Sequence, residues 1–191
     1  MKKLSVFLIL LCLVFSLAAP VWAIGSPVVD LADLLTEDEE AYLEEKAKDI
    51  TSEYSMDVVI LTVRSTYGED VSAYADDFYR TKGYGIGSKD SGVILMLSME
   101  DRDWVIRTFG DGKEAMTKYG IDKLMEDHVL PAFKKDNFYI GFLSYLENLD
   151  TYFEAYQCGE PIDRPINIPL MILISVGVGA LVGLITILIM K

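Results

Sequence analysis

The 191-residue chain holds two cysteines and one histidine, and each scarcity removes a class of chemistry. Cys12 lies in the amino-terminal apolar run, so Cys158 is the one cysteine of the remaining chain and no internal disulfide can brace it. His128 without a cysteine pair cannot complete a zinc site, and its position ahead of Val129-Leu130-Pro131-Ala132-Phe133 reads as a helix residue. Basic residues are also short: 17 Lys and Arg stand against 30 Asp and Glu, a net charge of −13. Setting aside Lys2, Lys3 and Lys191 leaves 14 basic residues against the 30 acidic, or −16 between the two ends. Such a domain repels nucleic acid and anionic lipid and attracts divalent cations or basic partners. Internal repeats and low-complexity tracts are absent. The stretch GYGIGSK, from Gly83, has glycines and a lysine but not the spacing of a phosphate-wrapping loop. Ser91, Ser98 and Ser144 lie in no nucleophile elbow, and Cys158 has no evident base beside it, so no covalent nucleophile declares itself.

The two ends are apolar. Lys2 and Lys3 precede a run from Leu4 to Leu17, and small residues lead to Val21-Trp22-Ala23. That order predicts an export signal over 1–23, cleaved after Ala23, with an uncleaved anchor as the alternative. Leu11 before Cys12 is too large for lipoprotein processing. Ile168 to Met190 carries no charge and as a helix would span roughly 34 Å, enough for a bilayer core. A single transmembrane helix is predicted there. Gly179 and Gly183 have small-xxx-small spacing, though glycine is common in such helices anyway. The chain ends just after the span, as a fragment of a longer protein would. Residues 24–158 are then one domain on the extracytoplasmic side, and 159–167, with Pro161 and Pro165, a linker.

Within the domain, Thr36 and Glu39 form a capping box ahead of Leu43, Ala47, Ile50 and Tyr54, predicting a helix over 37–54. Val58 to Val63 is too apolar for a half-solvated strand and reads as a buried one. A helix over 70–82 follows, with Val71, Tyr74, Ala75 and Phe78 on one face, then a glycine-rich break and a second buried strand over 93–97. The β-α-β order makes these strands parallel. A turn over 99–102 returns the chain as a strand over 103–109, with Trp104, Ile106 and Thr108 on one face. Helices over 117–135, bent near Pro131, and 138–157 complete an α/β sandwich: a small mixed sheet flanked by helices.

The hairpin carries one geometric deduction. If its turn centres between Glu100 and Asp101, residues whose numbers sum to 201 face each other, and Asp90 lies opposite Asp111. Asp57, at the start of a parallel strand, belongs at the same end. Opposed carboxylates favour a bound cation or a raised pKa, and oxygen-only ligands in flexible loops suit Ca²⁺ or Mg²⁺. The competing reading is a register slip or bulge that leaves both aspartates as solvated turn residues.

Three segments, VVDLADLLTEDEEAYLEEKAKDI from Val28, KDSGVILMLSMEDRDWVIRTFGDG from Lys89 and VLPAFKKDNFYIGF from Val129, together resemble the TPM domain family over about residues 28–155. The most telling pieces are Asp30 with Leu34-Leu35, Asp90-x-Gly92 before an apolar strand, and Pro131 with Phe133 before a final helix. The resemblance implies a sheet flanked by helices, an acidic patch that holds divalent cations, and export with membrane anchoring. It also implies an acid phosphatase activity described for plant relatives linked to photosystem repair. This chain departs from the family pattern. Thr108-Phe109-Gly110-Asp111-Gly112 lacks a carboxylate of the usual Glu-x-Gly-x-Gly, and a later aspartate is replaced near Tyr119. Two functions follow as expectations: an acidic, membrane-tethered interaction or membrane-protein maintenance module, and a metal-assisted phosphatase. Lys89 and Lys113 are the cations adjacent to the acids.

Overall fold

A computed structural model describes residues 25–163, 165, 175 and 176. The predicted export signal and, apart from Ser175 and Val176, the predicted span lie outside the described residues. No helix among the described residues is long and apolar enough to cross a membrane.

Helix α1 is Glu37–Tyr54, and its start is the predicted capping box. The Thr36 hydroxyl accepts the Glu39 amide while the Glu39 carboxylate accepts the Thr36 amide at 2.9 Å. Four acids in its first turn complement the helix dipole, and Ser55 ends it in a left-handed conformation at φ 53°. Strand β2, Asp57–Val63, follows, then α2, Val71–Thr81, capped by the Asp70 carboxylate on the Ala73 amide. A 3₁₀ turn at Gly87–Lys89 leads into β3, Gly92–Ser98, and β4 is Asp103–Phe109. The hairpin register pairs Gly92 with Phe109 and Ser98 with Asp103, the expected sum of 201 at every step.

Val28–Asp30, read from sequence only as a lead, is β1, a parallel edge strand on β2. Asp30 ends it by accepting the amides of Leu34 and Leu35 at 2.6 and 2.8 Å and the Thr62 hydroxyl. The sheet order is β1-β2-β3-β4, the first three strands parallel and the last antiparallel.

The predicted helix over 117–135 is not one bent helix. It is α4, Lys118–Leu124, a π turn at Met125–Val129, and α5, Leu130–Phe133, preceded by a short α3 at Gly112–Ala115. Pro131 has no amide hydrogen and its ring would press on the carbonyl four residues back; the wider turn before it absorbs that conflict. Helix α6, Phe138–Gln157, closes the fold.

Because β2 and β3 are buried on both faces, alternation is missing from their sequences. Val58, Ile60, Val93, Leu95, Leu97 and Ile106 face α1 and α3 to α6. Val59, Leu61, Val63, Ile94, Met96 and Phe109 face α2. Helices α1 and α6 also meet each other, with Tyr54 edge-on to Phe153 and its hydroxyl on Asp150 at 2.7 Å. Truncating a fully buried ring such as Phe142 to alanine in this layer would cost about 3–5 kcal/mol.

Candidate functional site

The parallel register places Asp57 beside Gly92, and the hairpin places Gly92 beside Phe109, so three chain segments meet at one end of the sheet. Over that end lies the loop from Gly83 to Ser91. Ile86 and Ser91 exchange two backbone hydrogen bonds, which pinches residues 87–90 into a tight loop with Asp90 left-handed at φ 51°. Gly85 is required beneath it: its φ is 111°, and a Cβ there would come within 2.7 Å of the Asp90 backbone.

The three aspartates named from sequence are all at this end, but each has a different neighbour. Asp57 is 3% exposed and accepts the Gly85 amide at 2.9 Å; burial raises its carboxyl above the ordinary range. The paired register ends at Gly92 and Phe109, so Asp90 and Asp111 lie beyond the strands and are not a cross-strand pair; the Asp111 carboxylate takes the Lys89 ammonium at 2.6 Å and the Ser91 hydroxyl at 3.1 Å. Lys89 holds it below the usual range. Ser91 in turn accepts the Asp111 amide at 3.0 Å, so its hydroxyl is a structural clamp. Asp90 is exposed, and its backbone carbonyl accepts the Tyr79 hydroxyl at 3.4 Å. Among the described residues no group of three or more His, Cys, Asp or Glu side chains is arranged to hold a metal ion. As they stand, the residues do not fit a three-carboxylate cation site, because Asp57 and Asp111 face donors within the protein.

Beside Asp90 the surface forms a pocket of about 350 Å³, lined by Tyr79, Tyr84, Phe109, Arg80, Lys89 and Lys113 among others. Tyr79 stacks on Phe109 with ring centroids 4.0 Å apart, and the Arg80 guanidinium lies 5.9 Å from the Phe109 centroid. Burial pushes the Tyr84 hydroxyl up to about 12, so it stays a proton donor, here to the Ser26 carbonyl. Arg80 escaped the sequence reading. Its position in the last turn of α2 gave no sign that this turn would lie against the end of β4.

A second concave surface runs along the outer side of β4. It is a groove of about 530 Å³ between that strand and α4, lined by Trp104 to Thr108, Lys113, Met116, Lys118, Ile121 and Asp122. Sequence reading assigned Trp104 and Ile106 only to a face. Among the described residues the strand order makes β4 an edge, which the alternating pattern alone does not reveal. His128 and Cys158 are exposed outside both surfaces.

A model of the TPM domain matches residues 28–152. The chain belongs to the TPM domain family. It is similar to the UPF0603 protein YdjH of Bacillus subtilis, 27% identical over 120 residues. That alignment takes in 63% of this chain and 45% of YdjH, so the TPM chain matches less than half the length of this relative. Solved structures agree at the level of fold. The N-terminal domain of a protein from P. gingivalis superposes with a TM-score of 0.62 at 17% identity, covering 74% of this chain and 90% of its own. The N-terminal domain of a Corynebacterium glutamicum protein gives 0.54 at 16% identity, over 70% of this chain and 83% of its own.

Proposed function

We propose that this TPM-domain protein is exported, held by a single carboxy-terminal span, and serves outside the cytoplasm as a binding module for other membrane or envelope proteins, assisting their maintenance. The observation that carries the reading is the position of the β4 groove relative to the chain's own exit. Thr117, which opens α4, donates its hydroxyl to the Ile162 carbonyl at 2.7 Å. The start of the predicted linker is thereby fixed next to the groove-lining Lys118. A binding surface beside the tether faces whatever stands next to the protein on the membrane. The test is photocross-linking in the native envelope from a probe replacing Lys118, whose side chain is 89% exposed. A control probe replaces Lys48 on α1. Discrete adducts with membrane or envelope proteins from position 118, absent from position 48, support the reading; no adduct from position 118 overturns it.

A second reading, a metal-assisted phosphatase, is favoured by the pocket beside Asp90. Arg80, Lys89 and Lys113 converge there in a domain otherwise dominated by acids, and cations so grouped suit a phosphoryl anion. A Ca²⁺ or Mg²⁺ ion held between Asp90 and Asp111 would have to displace Lys89 from Asp111. Hydrolysis of p-nitrophenyl phosphate with added Mg²⁺ or Ca²⁺, lost in Asp90→Asn/Asp111→Asn, is the expected result of this reading. No turnover with either ion removes it.

A further inference from the structure

The hydrogen bonds of the sheet determine which backbone groups β4 leaves open. The Asp57 amide donates to the Ser91 carbonyl, and the Met99 amide to the Val63 carbonyl. In a parallel pair this directs the odd-numbered residues of β3 toward β2 and the even-numbered ones toward β4. With the hairpin register, Asp103, Val105, Arg107 and Phe109 are the hydrogen-bonded partners of β3. The amides and carbonyls of Trp104, Ile106 and Thr108 therefore point away from the sheet, into the groove. Only the Trp104 amide has a partner among the described residues, the carboxylate of Asp103 at 2.8 Å. Edge strands in stable proteins are commonly blunted by proline, bulges or a covering element. Here β4 pairs with β3 at every one of its seven residues, without a bulge.

The groove is also chemically unlike the rest of the domain. Its far wall offers the half-buried Ile121, with Met116 buried beneath, and the lysines Lys113 and Lys118 against one acid, Asp122. Lys118 reaches Asp122 at 3.2 Å in an exposed pair of the kind that contributes little. Arg107 is neutralised on the opposite face by two 2.7 Å bonds to Asp76. Lys113, which has no ion-pair partner among the described residues, thus leaves a positive charge beside an open strand edge in a chain of net charge −13.

We propose that β4 captures an extended segment of a partner protein as a fifth strand, one that alternates apolar residues with aspartate or glutamate. Ile106 and Thr108 supply main-chain bonds, Trp104 and Ile121, both half-buried, receive the apolar side chains, and Lys113 and Lys118 the carboxylates. Strand addition takes its affinity from main-chain bonds and its selectivity from alternate side chains. A second copy of this chain is disfavoured as occupant by the repulsion between two strongly acidic domains. The inference rests on the binding-module reading and names its site.

Trp104, half-buried in the groove, reports binding by its fluorescence. The full chain in nanodiscs is titrated with a capped seven-residue peptide alternating valine with aspartate and threonine, and with the same peptide carrying lysine for aspartate. Saturable binding of the acidic peptide, at least tenfold weaker for the lysine peptide, is expected. Thr108→Pro removes an outward amide without touching the bonds to β3 and weakens binding roughly five- to tenfold, while Thr108→Val, which keeps the amide, binds as the parent does. Lys113→Glu/Lys118→Glu, both on exposed side chains, keeps the proposal falsifiable should the proline variant not fold, and it too weakens binding. No saturable binding, equal binding of both peptides, a double variant that binds as the parent does, or concentration-dependent dimers that exclude the peptide each overturn the proposal. Cross-links from position 118 combined with any of those results would leave the module reading standing and refute only the strand-addition site.

Discussion

Asp57 offers a test of the sheet-end geometry through pH. Burial raises its carboxyl, and the amides of Gly85 and Val58, which favour the charged form, only partly oppose this. The folded protein therefore keeps this proton to higher pH than the unfolded chain, where an aspartate titrates at about 3.9. The sign follows from linkage. The group's contribution to stability is whole below that unfolded value and is lost as pH rises through the raised native one. Asp57→Asn retains the shape and an oxygen for the Gly85 amide but cannot ionise, so relative to the parent it should gain stability as pH rises above about 4 and level off once pH passes the raised native value. Asp57→Ala instead strands the Gly85 amide, now bonded at 2.9 Å, and should fall below the asparagine variant by about 1–3 kcal/mol. Urea unfolding of the 25–163 domain at pH 4, 5, 6 and 7 reads both differences. An asparagine-minus-parent difference that is flat with pH, or largest at pH 4, would refute the reasoning.

Three other outcomes follow from single contacts. The Tyr145 hydroxyl is buried and, among the described residues, has no hydrogen-bond partner; Tyr145→Phe should be neutral or stabilise by about 1 kcal/mol in thermal unfolding. Gly85→Ala forces a Cβ onto the Asp90 backbone at φ 111° and should cost at least about 1–3 kcal/mol in the same assay. Lys89→Met removes the ammonium that holds Asp111 down, so an NMR titration of the Asp111 carboxyl should move up toward the ordinary carboxylate range.

Local signals in this chain were strong where one residue decides one element. The Thr36-Glu39 box and the spacing of Leu43, Ala47, Ile50 and Tyr54 placed α1 on the residues it occupies, and the β3-β4 register followed from the turn alone. Sequence missed what depends on distant partners. Three residues, Val28 to Asp30, are too few to read as a strand without the β2 they pair with. The π turn arises from a proline acting on the turn before it, which periodicity does not encode. At the candidate site the register was legible, but the partners were not. Lys89 reaches Asp111 because the 87–90 loop folds back on itself, so Asp111 faces a lysine that the strand count cannot see. The β4 groove was hidden for a similar reason, since whether a strand lies at an edge is a property of the whole sheet.

The most direct test of the account is amide hydrogen exchange of the full chain in native envelope vesicles compared with the same chain alone in nanodiscs. If partners add a strand to β4 on the membrane surface, the Ile106 and Thr108 amides exchange at least tenfold more slowly in the vesicles, while Val105 and Arg107, already bonded to β3, do not change. Equal exchange of Ile106 and Thr108 in the two preparations would contradict it.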